Sequence, residues 1–255
     1  MNEKLAAFER LLNIMDELRE KCPWDKIQTF ETIRNLTIEE VYELADAIID
    51  KDTQEIKKEL GDLALHLVFY AKIASETNDF DIADVLNAIC EKLIFRHPHV
   101  FGNVTVKDDT EVKQNWEELK LKEGTRSVLA GVPNSLPALI KANRIQEKVR
   151  AVGFDWDDPS QVWDKVEEEM QELKAEIKNN HVINMEAEFG DLLFSVVNAA
   201  RLYGIDPETA LERTNRKFIK RFKYLELKTN EKGQKLKEMT LDEMNVVWEE
   251  AKRFD

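Results

Sequence analysis

Cysteine is scarce in this chain of 255 residues: Cys22 and Cys90 are the two, and they form no Cys-x-x-Cys pair. That scarcity argues against a disulfide-stapled scaffold and a thiolate zinc site, and it suits a reducing, cytoplasmic setting. No run of about 18 apolar residues exists, and the N-terminal MNEKLAAFERLLNIMDELRE is charged and amphipathic, so neither a membrane span nor a signal peptide is expected. Basic residues are outnumbered, 37 against 51 acidic ones, for a formal charge of −14. Such a charge repels a polyphosphate backbone and argues against general nucleic-acid binding, while leaving room for a small phosphate ligand carried with a divalent cation. Eight glycines and six prolines leave few places where a helix must break.

What is present is 43% apolar and 35% charged, rich in Glu, Lys, Leu and Ala. This predicts a globular, all-α protein. Helical periodicity runs over Glu3 to Glu20 and is expected to stop before Cys22-Pro23, with CPWDKIQTFETIRNL as a mostly irregular bridge. Thr37, followed three residues later by Glu40, has the form of a capping box and predicts a helix start. Asp52 or Thr53 then caps a helix whose second half, LALHLVFYAKIA, is apolar nearly all round, as in the middle of a bundle. Further helices are expected over Ile82 to Phe95, through Val112, Trp116 and Leu119, and over Ala138 to Val152, Ser160 to Lys178, Val182 to Tyr203, Pro207 to Leu227 and Leu241 to Lys252. The Gly- and Pro-bounded GTRSVLAGVPNSLP reads as a linker.

Carboxylates carry the chemistry. Glu40 with Glu43, and Glu59 with Asp62, are i, i+3 pairs on two helices joined by a short connection, so four acids can converge. Glu169, Glu172, Glu188 and Asp191 repeat all four, each 129 residues later. ELGDLALHLVFYAK aligns with EFGDLLFSVVNAAR at that offset, whereas Phe80-Asp81 and Ile205-Asp206 are 125 apart and Trp24-Asp25 and Trp156-Asp157 are 132 apart. Drift confined to connections is the mark of a duplicated helical unit. The expected organisation is two tandem four-helix units, 1–123 and 153–255, with a linker and connecting helix at 124–152.

Burying several carboxylates without compensation costs several kcal/mol each or forces protonation, and a divalent cation removes that penalty. Asp and Glu oxygens alone suit Mg²⁺, with Mn²⁺ as an alternative. A di-iron bundle needs Glu-x-x-His, and no Glu in this chain is followed three residues later by His. His66 reads as a packed core residue and His181 as a loop residue. Magnesium on one-sided carboxylates takes phosphate oxygens as further ligands, so the ligand is expected to be a phosphate ester or anhydride. Basic residues expected near it are Lys165, one turn before Glu168 and Glu169, and the i, i+4 pair Lys217 and Arg221. The first copy repeats that pair as Lys92 and Arg96 but has Leu36 in place of Lys165. Trp116 and Trp248 either stack on a base or anchor a terminal helix.

CPWDKIQT, LTIEEVYEL, ELGDL, RHPHVF, VGFDW and EFGDLLF, in this order, resemble the two-domain form of the MazG nucleoside triphosphate pyrophosphohydrolases, members of the all-α NTP pyrophosphatase group. The resemblance covers nearly the whole chain. It implies two MazG-like helical units and Mg²⁺-dependent hydrolysis of NTPs and dNTPs to the monophosphate and pyrophosphate. It further implies Glu169, Glu172, Glu188 and Asp191 as ligands, Glu168 as an acid orienting water, and Lys165, Asn198, Lys217, Arg221 and Trp248 as nucleotide contacts. The first copy keeps Glu39, Glu40, Glu43, Glu59 and Asp62, so its activity is left open. It departs at Leu36 and at Phe69, which stands where the second copy has Asn198. The resemblance adds a homodimer. A nucleotide sensor or protein-binding bundle built on the same acids is the rival reading.

Overall fold

The computed structural model describes residues 2–108, 111–112, 115–116, 119, 127–156 and 158–254. Among them every regular element is an α-helix or a short 3-10 turn, and no helix is long and apolar enough to cross a membrane. The chain divides into two compact units, Met1–Lys107 and Asp108–Asp255.

The first unit comprises α1 (Glu3–Lys21), a 3-10 turn (Asp25–Ile27), α2 (Phe30–Asp50), α3 (Thr53–Glu76), α4 (Ile82–Arg96) and the single-turn α5 (Pro98–Phe101). Helix α1 ends where Pro23 forces Cys22 into an extended conformation. Helix α2 begins at Phe30, about two turns before the start expected at Thr37, because Thr29 and Thr32 form the capping box. Thr37 lies inside the helix, where its Oγ1 donates to the Ile33 carbonyl at 3.1 Å and meets the Tyr70 hydroxyl at 2.8 Å. The earlier start lets Ile33 be buried with Met15, Val68 and Phe69, against which Phe8, Leu11, Leu12, Leu65, Tyr70 and Ile73 pack. The stretch expected to be an irregular bridge is therefore helical over much of its length, because its apolar residues have a core to enter.

The second unit contains α6 (Ala138–Arg150), α7 (Gln161–Asn179), α8 (Val182–Leu202), α9 (Pro207–Glu231), a 3-10 turn (Leu236–Glu238), α10 (Leu241–Ala251) and a final 3-10 turn (Lys252–Phe254). Helix α6, expected to be part of a connecting segment, packs on α8 and α9, as α1 packs on α3 in the first unit. Gln146 ties it to α8 by donating from Nε2 to the Phe194 carbonyl at 2.8 Å. Val112, Trp116 and Leu119 are helical, while the rest of the helix expected there and the start of the linker lie outside the described residues.

The two hairpins repeat in detail. Two residues join α2 to α3 and two join α7 to α8, and Lys51 and Asn180, 129 apart, both end their helices in the left-handed conformation, at φ 57° and 56°. Asp52 then caps α3 through its side chain. His181 makes no such cap and instead places Nδ1 3.2 Å from Glu176.

Candidate metal centre

In each hairpin the acids stand at matched depth. Glu43 is seven residues before the end of α2 and Glu59 six after the start of α3; Glu172 and Glu188 stand likewise in α7 and α8. At about 1.5 Å per residue both sets lie roughly 10 Å from their turn, so the antiparallel helices bring them face to face. One carboxylate oxygen from each of Glu40, Glu43 and Glu59 lies within 4.8 Å of the others, and Glu169, Glu172 and Glu188 form the same arrangement. Asp62 and Asp191 stand outside these triads, but their charges act on Glu40 and Glu188.

Burial differs sharply within each triad. Glu59 is 2% exposed and Glu169 6%. Burial, then the charges of Asp62 and Glu43 and the proximity of Glu59, push the Glu40 carboxyl above its ordinary range. Burial, followed by the charges of Glu172, Asp191, Glu169 and Glu176, does the same for Glu188. Glu59 and Glu188 each keep one buried carboxylate oxygen without a protein partner. Buried acceptors converging in an oxygen-only donor set fit a hard divalent cation.

Each cluster also meets a lysine, from a different helix in each unit. Lys165 of α7 reaches Glu169 at 2.6 Å and Glu168 at 2.9 Å. In the first unit Leu36 takes that position, and Lys58 of α3 pairs with Glu59 at 2.8 Å and with Glu55 at 3.5 Å. Sequence reasoning missed Lys58, because it sought the cation where Lys165 predicts it. The available signal was the KKELGD run, in which Lys58 directly precedes the buried acid.

The other expected residues divide between elements. Glu39 and Glu168 are exposed beside their triads on α2 and α7. Lys217 and Arg221 lie on α9 and Trp248 on α10, where the Arg221 guanidinium sits 5.7 Å from the Trp248 ring centre and Phe218 packs on the same ring at 4.9 Å. Lys92 and Arg96 lie on α4, and Trp116 is half-buried. Asn198, on α8, accepts from Arg201 Nε at 3.0 Å and Nη2 at 2.7 Å. His66 is 8% exposed, and burial lowers its pKa.

A family profile described as the MazG nucleotide pyrophosphohydrolase domain matches this chain twice, at residues 28–101 and 158–225. A nucleoside triphosphate pyrophosphohydrolase/pyrophosphatase MazG of Thermotoga maritima is 46% identical over 260 residues, covering 100% of this chain and 99% of that protein. A nucleoside triphosphate pyrophosphohydrolase of Escherichia coli K12 is 43% identical over 258 residues, covering 98% of each. The uncharacterized protein YabN of Bacillus subtilis is 46% identical over 99% of this chain and 53% of its own length.

Proposed function

The chain belongs to the MazG nucleotide pyrophosphohydrolase family and is a nucleoside triphosphate pyrophosphohydrolase; we propose that it works with magnesium at the acid cluster of the second unit, in nucleotide-pool housekeeping. The observation that carries this reading is the convergence of Glu169, Glu172 and Glu188 beside Lys165, which the first unit lacks at the matching position. Glu169, Glu172, Glu188 and Asp191 would hold Mg²⁺, or Mn²⁺ in its place, and the ion would supply neutralisation of triphosphate oxygens.

Glu168 orients a water toward the α-phosphorus and takes its proton as the water oxygen bonds to that phosphorus. The bond from that phosphorus to the bridging oxygen breaks, leaving nucleoside monophosphate and pyrophosphate. Lys165, with Lys217 and Arg221, stabilises charge on the departing pyrophosphate. The exposed apolar residues Leu211, Phe218, Ile219 and Phe222 on α9 support a homodimer, and the charge of −14 supports the absence of general nucleic-acid binding. The scarcity of cysteine supports a cytoplasmic setting.

Pyrophosphate release from a panel of NTPs and dNTPs, with Mg²⁺ and with chelator, tests the reading. Metal-dependent release that Glu172→Ala abolishes is the expected result. Release that needs no metal, or that survives Glu172→Ala, overturns it.

A further inference from the structure

One of the four histidines, His66, lies inside the first hairpin, on α3. It is 8% exposed, and its Nδ1 is buried without a protein partner. Buried polar groups are nearly always satisfied by protein, water or an ion, so a ring nitrogen left open in this way marks a place for a ligand. Packing alone does not account for it.

The helix aims this ring at the acids. At about 100° per residue, Glu59, Asp62 and His66 fall within about 60° of arc on α3, with His66 between the other two. Side chains on a helix lean toward its N-terminus, so the imidazole covers the turn that carries Asp62. The electrostatics agree: burial lowers the His66 pKa and the Asp62 charge acts against it, as that charge also acts on Glu40 across the hairpin. Two ligands at i, i+4 on one helix face can hold a single ion, as histidine pairs do in zinc-binding helices.

The second copy lacks this donor. Its matching residue, 129 positions on, is Ser195, whose Oγ donates to the Leu192 carbonyl at 2.8 Å and is thus satisfied within its own helix. The triads are alike in their oxygens, but the turn beyond them is not. Carboxylates alone suit Mg²⁺, whereas an imidazole nitrogen shifts the preference toward transition metals. Lys58 neutralises Glu55 and Glu59, the acids of α3 nearer the hairpin turn, and leaves Asp62 and His66 beyond it.

We propose that the first unit binds a divalent transition-metal ion of the Mn²⁺ to Zn²⁺ class, with His66 as a nitrogen ligand beside Asp62 and Glu40, so that the two copies select different metals. The assignment does not depend on which unit turns over substrate.

The test loads the full chain with Mn²⁺ and reads the ion by electron spin-echo spectroscopy, in which a bound imidazole nitrogen gives a coupling that carboxylate oxygens do not. Wild type and Glu172→Ala, which weakens the second cluster, are both expected to show this coupling, and isotopic labelling of the histidine nitrogens shifts it without any substitution. His66→Ser, which copies the second unit, and the more conservative His66→Gln remove it while leaving the helical circular dichroism unchanged. In calorimetric titrations of Glu172→Ala, Mn²⁺ binds at least about tenfold more tightly than Mg²⁺, and adding His66→Ser abolishes most of that preference. Bound Mn²⁺ without nitrogen coupling in wild type, coupling that survives both His66 substitutions, or a Glu172→Ala chain that binds no Mn²⁺ overturns the proposal. Failure of the second-unit metal reading shows separately, as a Mn²⁺ stoichiometry that Glu172→Ala leaves unchanged.

Discussion

Lys58 lies 2.8 Å from Glu59 on the same helix, so the first acid cluster draws its cation from α3, whereas the second draws Lys165 from α7. The repeat keeps the acids and exchanges the helix that neutralises them. In both units an ammonium group occupies a carboxylate that a divalent ion would need.

Lysine would therefore compete with a metal bound at these acids. Replacing Lys58 with Ala is expected to tighten divalent binding at the first cluster by about twofold, a modest effect because the lysine is largely exposed. Calorimetric titration with Mg²⁺ reads it directly, and weaker binding in Lys58→Ala would contradict the competition.

The two units are expected to differ in what an acid deletion does to turnover. Glu172→Ala should lower the rate of pyrophosphate release by about 10²-fold or more, as loss of transition-state charge stabilisation does. Glu43→Ala should cost far less. Steady-state assays of both variants alongside wild type measure the contrast.

Metal should also stabilise the fold. Mg²⁺ at about 100 times its Kd raises stability by about 2.7 kcal/mol per site, and chelation reverses the gain. Thermal melts with Mg²⁺ and with chelator check this. A melting temperature indifferent to Mg²⁺ would count against both clusters as metal sites.

Asp155 supplies a pH dependence away from the metal. Burial raises its pKa, but the hydrogen bonds from Arg201 and the Trp156 backbone, with the charges of Arg201 and Arg150, outweigh this and hold it below the usual carboxylate range. A depressed folded pKa gives stability that is present above the ordinary carboxylate pKa and lost as pH falls through the lowered value. Asp155→Asn should cost about 2 kcal/mol at neutral pH, as loss of a charge-assisted hydrogen bond in a part-buried pair does, and progressively less in acid. Urea melts across pH report the difference.

Lys51 carries a local backbone penalty that its counterpart Asn180 largely escapes, since both are left-handed and Asn tolerates that region better. Lys51→Gly is expected to stabilise the first unit by about 1 kcal/mol, measured by chemical denaturation.

The fold class, the repeat and most helices were legible because apolar periodicity and a constant offset between acids are both properties of sequence spacing. The start of α2 was not legible: Thr37 with Glu40 satisfied the local capping pattern, but burial of Ile33 decided the boundary, and burial depends on partners far along the chain. Three of the four acids expected in each unit converge as their i, i+3 spacing suggests, while Asp62 and Asp191 stand outside the triads; Lys58 was not legible, because its role depends on which of two facing helices brings a cation across. Gln146 also escaped notice, since only the packing of α6 on α8 turns its amide into a buried, directed group.

Phe69 has a further consequence for how the two copies can change. A ring packed among Met15, Ile33 and Val68 cannot become an amide in a single step without opening a void and burying an unmatched dipole, at a cost of about 3–5 kcal/mol. The first copy is thereby held to an aromatic ring at this position: any substitution toward its twin's amide passes through a destabilised core, so the two halves resist becoming alike here.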